Sequence, residues 1–436
     1  MIKNEKTLNC LYKCEEEAKR VHRKFVFFPL LSLIFIGLIS LVGCSGGSVD
    51  EIKVGVTGPL TGSTANSGIA LQQGMEMAVD EWNEDGGIEI DGEKLPIKMI
   101  YEDNQGQPSE GVSAAEKLFN SEEIDVLIGD AFSSSVTMAI MDLASQYEKP
   151  IMSGEPVSSA ISEKVEEDPE KYKYFYKGNF SSEAYGEGAF YTVQSLIDNG
   201  DFEPKNKTVA FVVEDTDYGR SNVAEAEKLF KEAGWEQVAF ETVEVGHTDF
   251  YPQLTKLKGM EPDVLITCFT AVSSGVALVK QFNETEMNSL HMAIYYPLRP
   301  EFIEQAKEDA EGLLWEPLNY HPELIEKQGE FEKKFQERYD TEGTADSVQG
   351  YDYMTNVLTA IKEAQSLEAD KIVEQLSQLD RDGLIGRFVF DEKDHTAKAG
   401  PEFLPVPAAQ IQAGEDQIVW PEDIATADYK PQPWIE

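Results

Sequence analysis

The sequence predicts an α/β protein built as two doubly wound parallel-sheet lobes. From residue 51 onward, strand-length apolar runs alternate with amphipathic helical runs, and this alternation restarts at about residue 208. Length agrees: residues 44–436, left after a leader is removed, are long for one domain and enough for two.

In the first array, Ile52-Lys53-Val54-Gly55-Val56 reads as a strand running into the turn-rich Gly58-Pro59-Leu60-Thr61-Gly62. Leu71, Met75, Ala78, Val79 and Trp82 then share one face of a helix over 69–83, which Gly86-Gly87 stops. A strand over 96–101, a helix over 108–119 and a strand over 124–129 follow. The last of these is mostly apolar, as a strand covered on both faces should be. Ser133-Ser134-Ser135 opens a helix through Tyr147, and residues 150–153 form the next strand. Residues 172–179 read as a crossover.

The second array has strands over 208–213, 237–243, 263–269 and 291–296. Between them lie a turn at Tyr218-Gly219-Arg220 and helices over 222–233, 251–257 and 272–282. Helices over 322–339 and 347–365 precede a turn-rich stretch, Gly383 to Gly400, and a proline-rich tail with one strand over 409–411.

Upstream of these arrays, an apolar run from about Phe25 follows Lys19, Arg20, Arg23 and Lys24 and ends at Leu41-Val42-Gly43-Cys44. A basic segment, an apolar core and small residues before a cut form a secretory signal. The pattern resembles a bacterial lipoprotein signal, which implies that Cys44 carries the lipid and that 44–50 is a flexible tether. An uncleaved membrane anchor is the alternative; either places the rest of the chain outside the cytoplasm.

The chain carries 80 acidic against 37 basic residues. Seven of the basic and four of the acidic ones precede Cys44, which leaves the mature part near −46. Such a field repels nucleic acid and anionic membrane surfaces, so the membrane is met through the lipid alone. It also repels itself unless salt screens it, which points to a salt-loving source. Cys268 is the one cysteine of the folded part and sits in an apolar strand, where it forms no intramolecular disulfide and reads as an inert thiol.

Ligands of open parallel sheets sit beyond the carboxyl ends of the strands. The loops there include 57–67, 130–135, 153–159, 214–218, 270–274 and 295–299, rich in Ser, Thr, Tyr and Gly. Ser133 and Ser134 stand where a helix begins and can meet a ligand oxygen, or serve as an ordinary N-cap. Tyr218 offers an aromatic wall, or packs at a turn. Thr270 and Tyr295 head two of the facing loops. There is no nucleophile elbow, no His-Glu-x-x-His, no phosphate loop and no dinucleotide fingerprint, and the histidines are scattered singly. No cofactor, no metal and no catalysis are expected.

At these loops the chain resembles the type I periplasmic solute-binding proteins of ABC importers, the leucine/isoleucine/valine-binding family. The matching stretches include Gly58-Pro59-Leu60-Thr61-Gly62, Gly129 through Ser135, Tyr218-Gly219, Pro262-Asp263-Val264 and Gln349-Gly350-Tyr351-Asp352, within residues 51–412. The resemblance implies three crossovers between the lobes, with lobe I over 51–178 and 319–398, and lobe II over 179–318 and 399–436. It implies a small ligand trapped between the lobes (an amino acid, an amide or urea) and delivery to ABC permease subunits. Carried over by position, Ser133 meets the ligand carboxylate, while Glu155 and Val157 stand where the family offers a backbone group and a threonine. Tyr218 lines the wall. Ser67 replaces a first-loop aromatic, and Glu155 and Arg299 bring charges that the family pattern does not. A ligand-presenting sensor ectodomain and a secreted hydrolase remain as alternatives.

Overall fold

The computed structural model describes residues 50–317, 320–323 and 325–435; the Leu41-Val42-Gly43-Cys44 pattern and its leader lie outside them. The first sheet is organised around Ile52–Gly58, which pairs in parallel with Ile97–Asp103 on one side and Val126–Ile128 on the other. Ile151–Ser153 and Phe175–Lys177 extend it, also in parallel. Taken in chain order, the strands lie 2-1-3-4-5 across the sheet. Val126 and Ile128 enter one apolar core while Leu127 enters another, so both faces are covered and an unbroken apolar run is what the strand requires.

The second sheet repeats this order with Thr208–Glu214, Glu236–Val243, Val264–Cys268, Leu290–Ile294 and Leu314–Glu316. Val209, Phe211 and Val213 join the same core that the first sheet feeds, and Ala210 and Val212 face a core of their own. Ala408–Gln412, the strand expected over 409–411, and Glu415–Trp420, which the sequence does not foresee, close this edge antiparallel. The tail thus supplies a hairpin where the sequence suggests one strand.

Two long helices, Ala65–Glu84 and Ala345–Ala364, pack on each other beside the first sheet. Their backbones meet at glycine. A Cβ on Gly74 would stand 1.7 Å from the Ser347 carbonyl oxygen, and one on Gly350 would stand 2.2 Å from that of Leu71. The contact fixes the start of the later helix, and with it Asp346 and Gln349.

Other departures have local causes. The helix expected through Tyr147 divides into Ser134–Ile140 and Leu143–Tyr147. The first long helix starts at Ala65, four residues before the expected Ile69, and so takes in Ser67. Tyr218-Gly219-Arg220 is not a turn but the first turn of helix Asp217–Glu232: the Thr216 side chain accepts the Gly219 N–H at 3.0 Å as its N-cap. Residues 172–179, read as a crossover, contain the edge strand Phe175–Lys177. Helix Glu183–Asn199, whose buried Tyr185, Ala189, Val193 and Leu196 lie three to four residues apart, went unread because Gly186 and Gly188 interrupt its pattern. Among the described residues, no helix is long and apolar enough to cross a membrane.

Candidate functional site

In a 2-1-3-4-5 sheet the strand order reverses beside the first strand, and the loops leaving its carboxyl edge splay apart there. Both sheets turn such edges toward one cleft of about 340 Å³. Nine of the ten parallel strands deliver a lining residue at or just beyond their carboxyl ends. Thr64, Gln105, Ser133, Glu155 and Asn179 come from the first sheet; Glu214, Val245, Thr270 and Tyr295 come from the second.

Of the residues singled out from sequence, Ser133, Ser134, Glu155, Val157, Tyr218, Thr270 and Tyr295 all line this cleft. Ser67 does not. It is buried within helix Ala65–Glu84, and Ser63 and Thr64, just before the helix, line the cleft instead. Sequence reasoning missed Tyr185 and Gln349, which reach the cleft from helices Glu183–Asn199 and Ala345–Ala364 rather than from strand ends. Glu214 falls at the start of the 214–218 loop read from sequence but is not singled out there, although it closes an apolar strand with a carboxyl group.

The loop after Val126–Ile128 is held from below by Asp130, which is fully buried. Its carboxylate accepts the N–H groups of Ser133 at 2.6 Å and Phe132 at 3.1 Å, the Thr57 hydroxyl at 3.2 Å and the Asn104 amide. Burial pushes its pKa up to about 7, with the four donors pulling the other way. Ser133 caps helix Ser134–Ile140, its oxygen accepting the Val136 N–H at 3.5 Å. The Ser134 hydroxyl oxygen accepts the Ser158 N–H at 3.3 Å, tying this loop to the next.

That next loop, after Ile151–Ser153, carries Glu155 and Val157 above a buried lysine. Lys177 donates to the carbonyls of Val157 at 2.9 Å and Ser158 at 3.1 Å, and to the Ser162 hydroxyl at 3.0 Å. Burial lowers its pKa to about 7. Glu155 accepts the Tyr295 hydroxyl at 3.0 Å. Burial raises its pKa, against the nearby Arg299 charge and the Tyr295 hydrogen bond.

On the opposite side, Glu214 accepts the Thr270 hydroxyl at 2.7 Å and the Ala271 N–H at 3.2 Å, and burial raises its pKa. Tyr295 has φ 76° and ψ −53°, a γ-turn conformation that is strained for a residue with a side chain. Its hydroxyl also accepts a hydrogen bond from Arg299, whose guanidinium is paired with the buried Asp346 carboxylate. Arg299 itself lies behind the wall. Among the described residues, no lysine, arginine or histidine lines the cleft. What the cleft presents is hydroxyl, amide and carboxyl groups, a set suited to hydrogen bonding. Among the described residues, no group of three or more His, Cys, Asp or Glu side chains is placed to hold a metal.

Comparisons with known proteins point one way. The family described as periplasmic binding protein matches residues 51–414. A Leu/Ile/Val-binding protein homolog 2 of Brucella abortus is 29% identical over 221 residues, covering 51% of this chain and 54% of its own length. The chain thus spans about half the length of that curated relative in the match. Among solved structures, the branched-chain amino acid transporter substrate binding protein LivJ from Streptococcus pneumoniae, in complex with isoleucine, has a TM-score of 0.69 at 24% identity. That match covers 84% of this chain and 97% of that one. An ABC transporter solute binding protein from Rhodopseudomonas palustris BisB5, in complex with 3,4-dihydroxy benzoic acid, has a TM-score of 0.71 at 18% identity. It covers 88% of this chain and 99% of that one. At these identities the structures speak for the fold.

Proposed function

The chain belongs to the periplasmic binding protein family, and from that premise we propose that it is an extracytoplasmic solute receptor of an ABC importer. In this reading it performs no chemistry. It encloses one small polar solute (an amino acid, an amide or urea) and presents it to permease subunits. The observation that carries the reading is the convergence of nine strand ends from two separate sheets on a single cleft. Residues 51–178 with 319–398 act as one lobe and 179–318 with 399–436 as the other. A solute touching both lobes favours the closed state because only there does it meet both sets of hydrogen-bonding groups. Closure removes water, which strengthens those bonds.

A thermal-shift screen of amino acids, amides and urea tests this. A solute at about 100 times its dissociation constant stabilises the fold by about 2.7 kcal/mol, a readable shift. If no compound of any class moves the melting temperature, the receptor reading fails. The screen belongs in molar salt, because a protein this acidic should melt higher there than in dilute buffer as the Debye length falls to about 3 Å. A flat or falling salt series would remove the halophilic assignment.

The reading includes an anchor at Cys44. Cys44→Ser should accumulate as an unprocessed precursor that takes up no labelled fatty acid. Equal labelling of the variant and the parent would refute the anchor and leave the receptor role untouched.

A further inference from the structure

Charge in the buried part of the cleft does not balance. Arg299, 3% exposed, gives its guanidinium to Asp346 and to the Tyr295 hydroxyl oxygen, so its positive charge is already matched by a carboxylate. The Glu155 carboxyl group, in a residue 6% exposed, has one hydrogen bond: Oε2 accepts from Tyr295, while Oε1 is buried at the cleft wall with no partner among the described residues. Glu214 is a second carboxyl group, on the opposite side of the same cleft, and among the described residues no cationic side chain lines it. A solute anion held here would lie against two carboxyl groups with no counter-charge, the arrangement buried charges tolerate least.

Two further features fit a cation. The Tyr295 ring meets Tyr218 edge-on at 5.8 Å and Phe132 at 6.3 Å, so aromatic surface flanks the Glu155 carboxyl group, and ring faces attract cations. Gln349 is wholly buried and lines the same cleft, and neither its amide oxygen nor its amide nitrogen has a partner among the described residues. Its oxygen can take a second N–H from a donor-rich group that Glu155 does not saturate.

Resting on the receptor reading, we propose that Glu155 is the charge-reading residue of the site. Its free Oε1 receives an ammonium group of the solute, and the cleft therefore selects amine-bearing solutes over the carboxylic acids and amides of the same carbon skeleton. Gln349 assists as a neutral acceptor, and Arg299 does not touch the solute but orients Tyr295 against Glu155. This separates the chain from a relative whose structure holds a benzoic acid.

The test uses matched sets sharing one skeleton, such as leucine, 3-methylbutylamine, 4-methylpentanoate and 4-methylpentanamide, with equivalent sets for the other amino acids. Calorimetry on the purified full chain at constant molar salt reads them. In at least one set, an amine-bearing member should bind about 100-fold or more tightly than the deaminated acid and the amide, because a site built for a polar group rejects analogues that lack it. Glu155→Gln should lose about tenfold or more for the amine-bearing member, while affinity for the acid holds or rises because one of the two carboxyl groups facing it is gone. An acid or amide binding within tenfold of its amino counterpart in every set that binds would overturn the proposal and leave the receptor reading standing. So would undiminished affinity in a folded Glu155→Gln. A screen in which nothing binds would overturn both. The comparison on the parent chain stands even if the variant does not fold.

Discussion

Two neighbouring loops of the first sheet each bury a carboxyl group just past a strand end, and they treat it in opposite ways. Asp130, after Val126–Ile128, is surrounded by four donors and lies beneath the cleft. Glu155, after Ile151–Ser153, has one donor and lies in the cleft wall with an oxygen unmet. A buried polar group with all its partners fixes a loop; one that lacks a partner is held ready for something else. The difference separates a carboxyl group that shapes the site from one that reads its contents.

Stability should follow this division. Asp130→Ala removes the acceptor of two backbone N–H groups, a hydroxyl and an amide, all shut away from water, and should cost at least about 3 kcal/mol. Glu155→Gln keeps an acceptor for Tyr295 and removes a poorly compensated charge, so it should stay within about 1 kcal/mol of the parent. Urea unfolding at constant molar salt measures both. Equal losses in the two variants would erase the distinction.

The same pair can be sharpened by pH. Burial raises the Glu155 pKa above its ordinary 4.5, so the folded state keeps a proton that the unfolded chain has released. Its stabilising contribution is full below about pH 4.5 and is lost as pH rises through the folded value. Glu155→Gln has no such proton. The stability gap between parent and variant should therefore move in favour of the variant as pH rises from 4.5 past neutrality. Asp130, with its pKa pushed up to about 7, contributes a slope of the same sign in both proteins, and the difference cancels it. A gap that is constant over this range would mean that Glu155 is no harder to ionise in the fold than in the open chain.

How much of this was legible in the sequence follows from what each feature depends on. The apolar strands could be read because a doubly covered strand must be apolar throughout, as Leu127 between Val126 and Ile128 illustrates. Because their loops emerge at carboxyl ends, Ser133, Glu155, Tyr218, Thr270 and Tyr295 could be named as cleft candidates before any coordinates. Tyr218-Gly219-Arg220 reads as a turn because of its glycine, yet the glycine is there because a Cβ would meet the Glu214 carbonyl oxygen at 2.2 Å. Ser67 reads as a loop residue because the apolar face that marks the helix begins only at Ile69, four residues after the helix starts. Gln349 could not be found locally at all. It reaches the cleft only because two helices cross at Gly74 and Gly350, more than 270 residues apart. The unmatched charge at Glu155 is equally non-local, since it depends on Arg299 being claimed by Asp346.

The smallest effect expected tests whether the loop that Asp130 shapes also touches the solute. Ser133 is at the surface of that loop, and its N–H is already given to Asp130. Its hydroxyl oxygen takes the Val136 N–H at 3.5 Å, a stretched cap that leaves the hydroxyl proton available to a solute oxygen. Ser133→Ala keeps the Asp130 contacts, so the loop should hold its shape and only the hydroxyl is lost. Affinity for whichever solute the screen identifies should fall by about 0.5–1.5 kcal/mol, or by up to about 3 kcal/mol if the solute oxygen is charged. Losing the cap should lower stability by about 0.5–2 kcal/mol, with so long a bond placing it at the low end. Calorimetry and urea unfolding on the same preparation separate the two effects. Unchanged affinity with the stability loss present would confine Ser133 to capping its own helix, and recognition from the first sheet would then rest on the Glu155 loop.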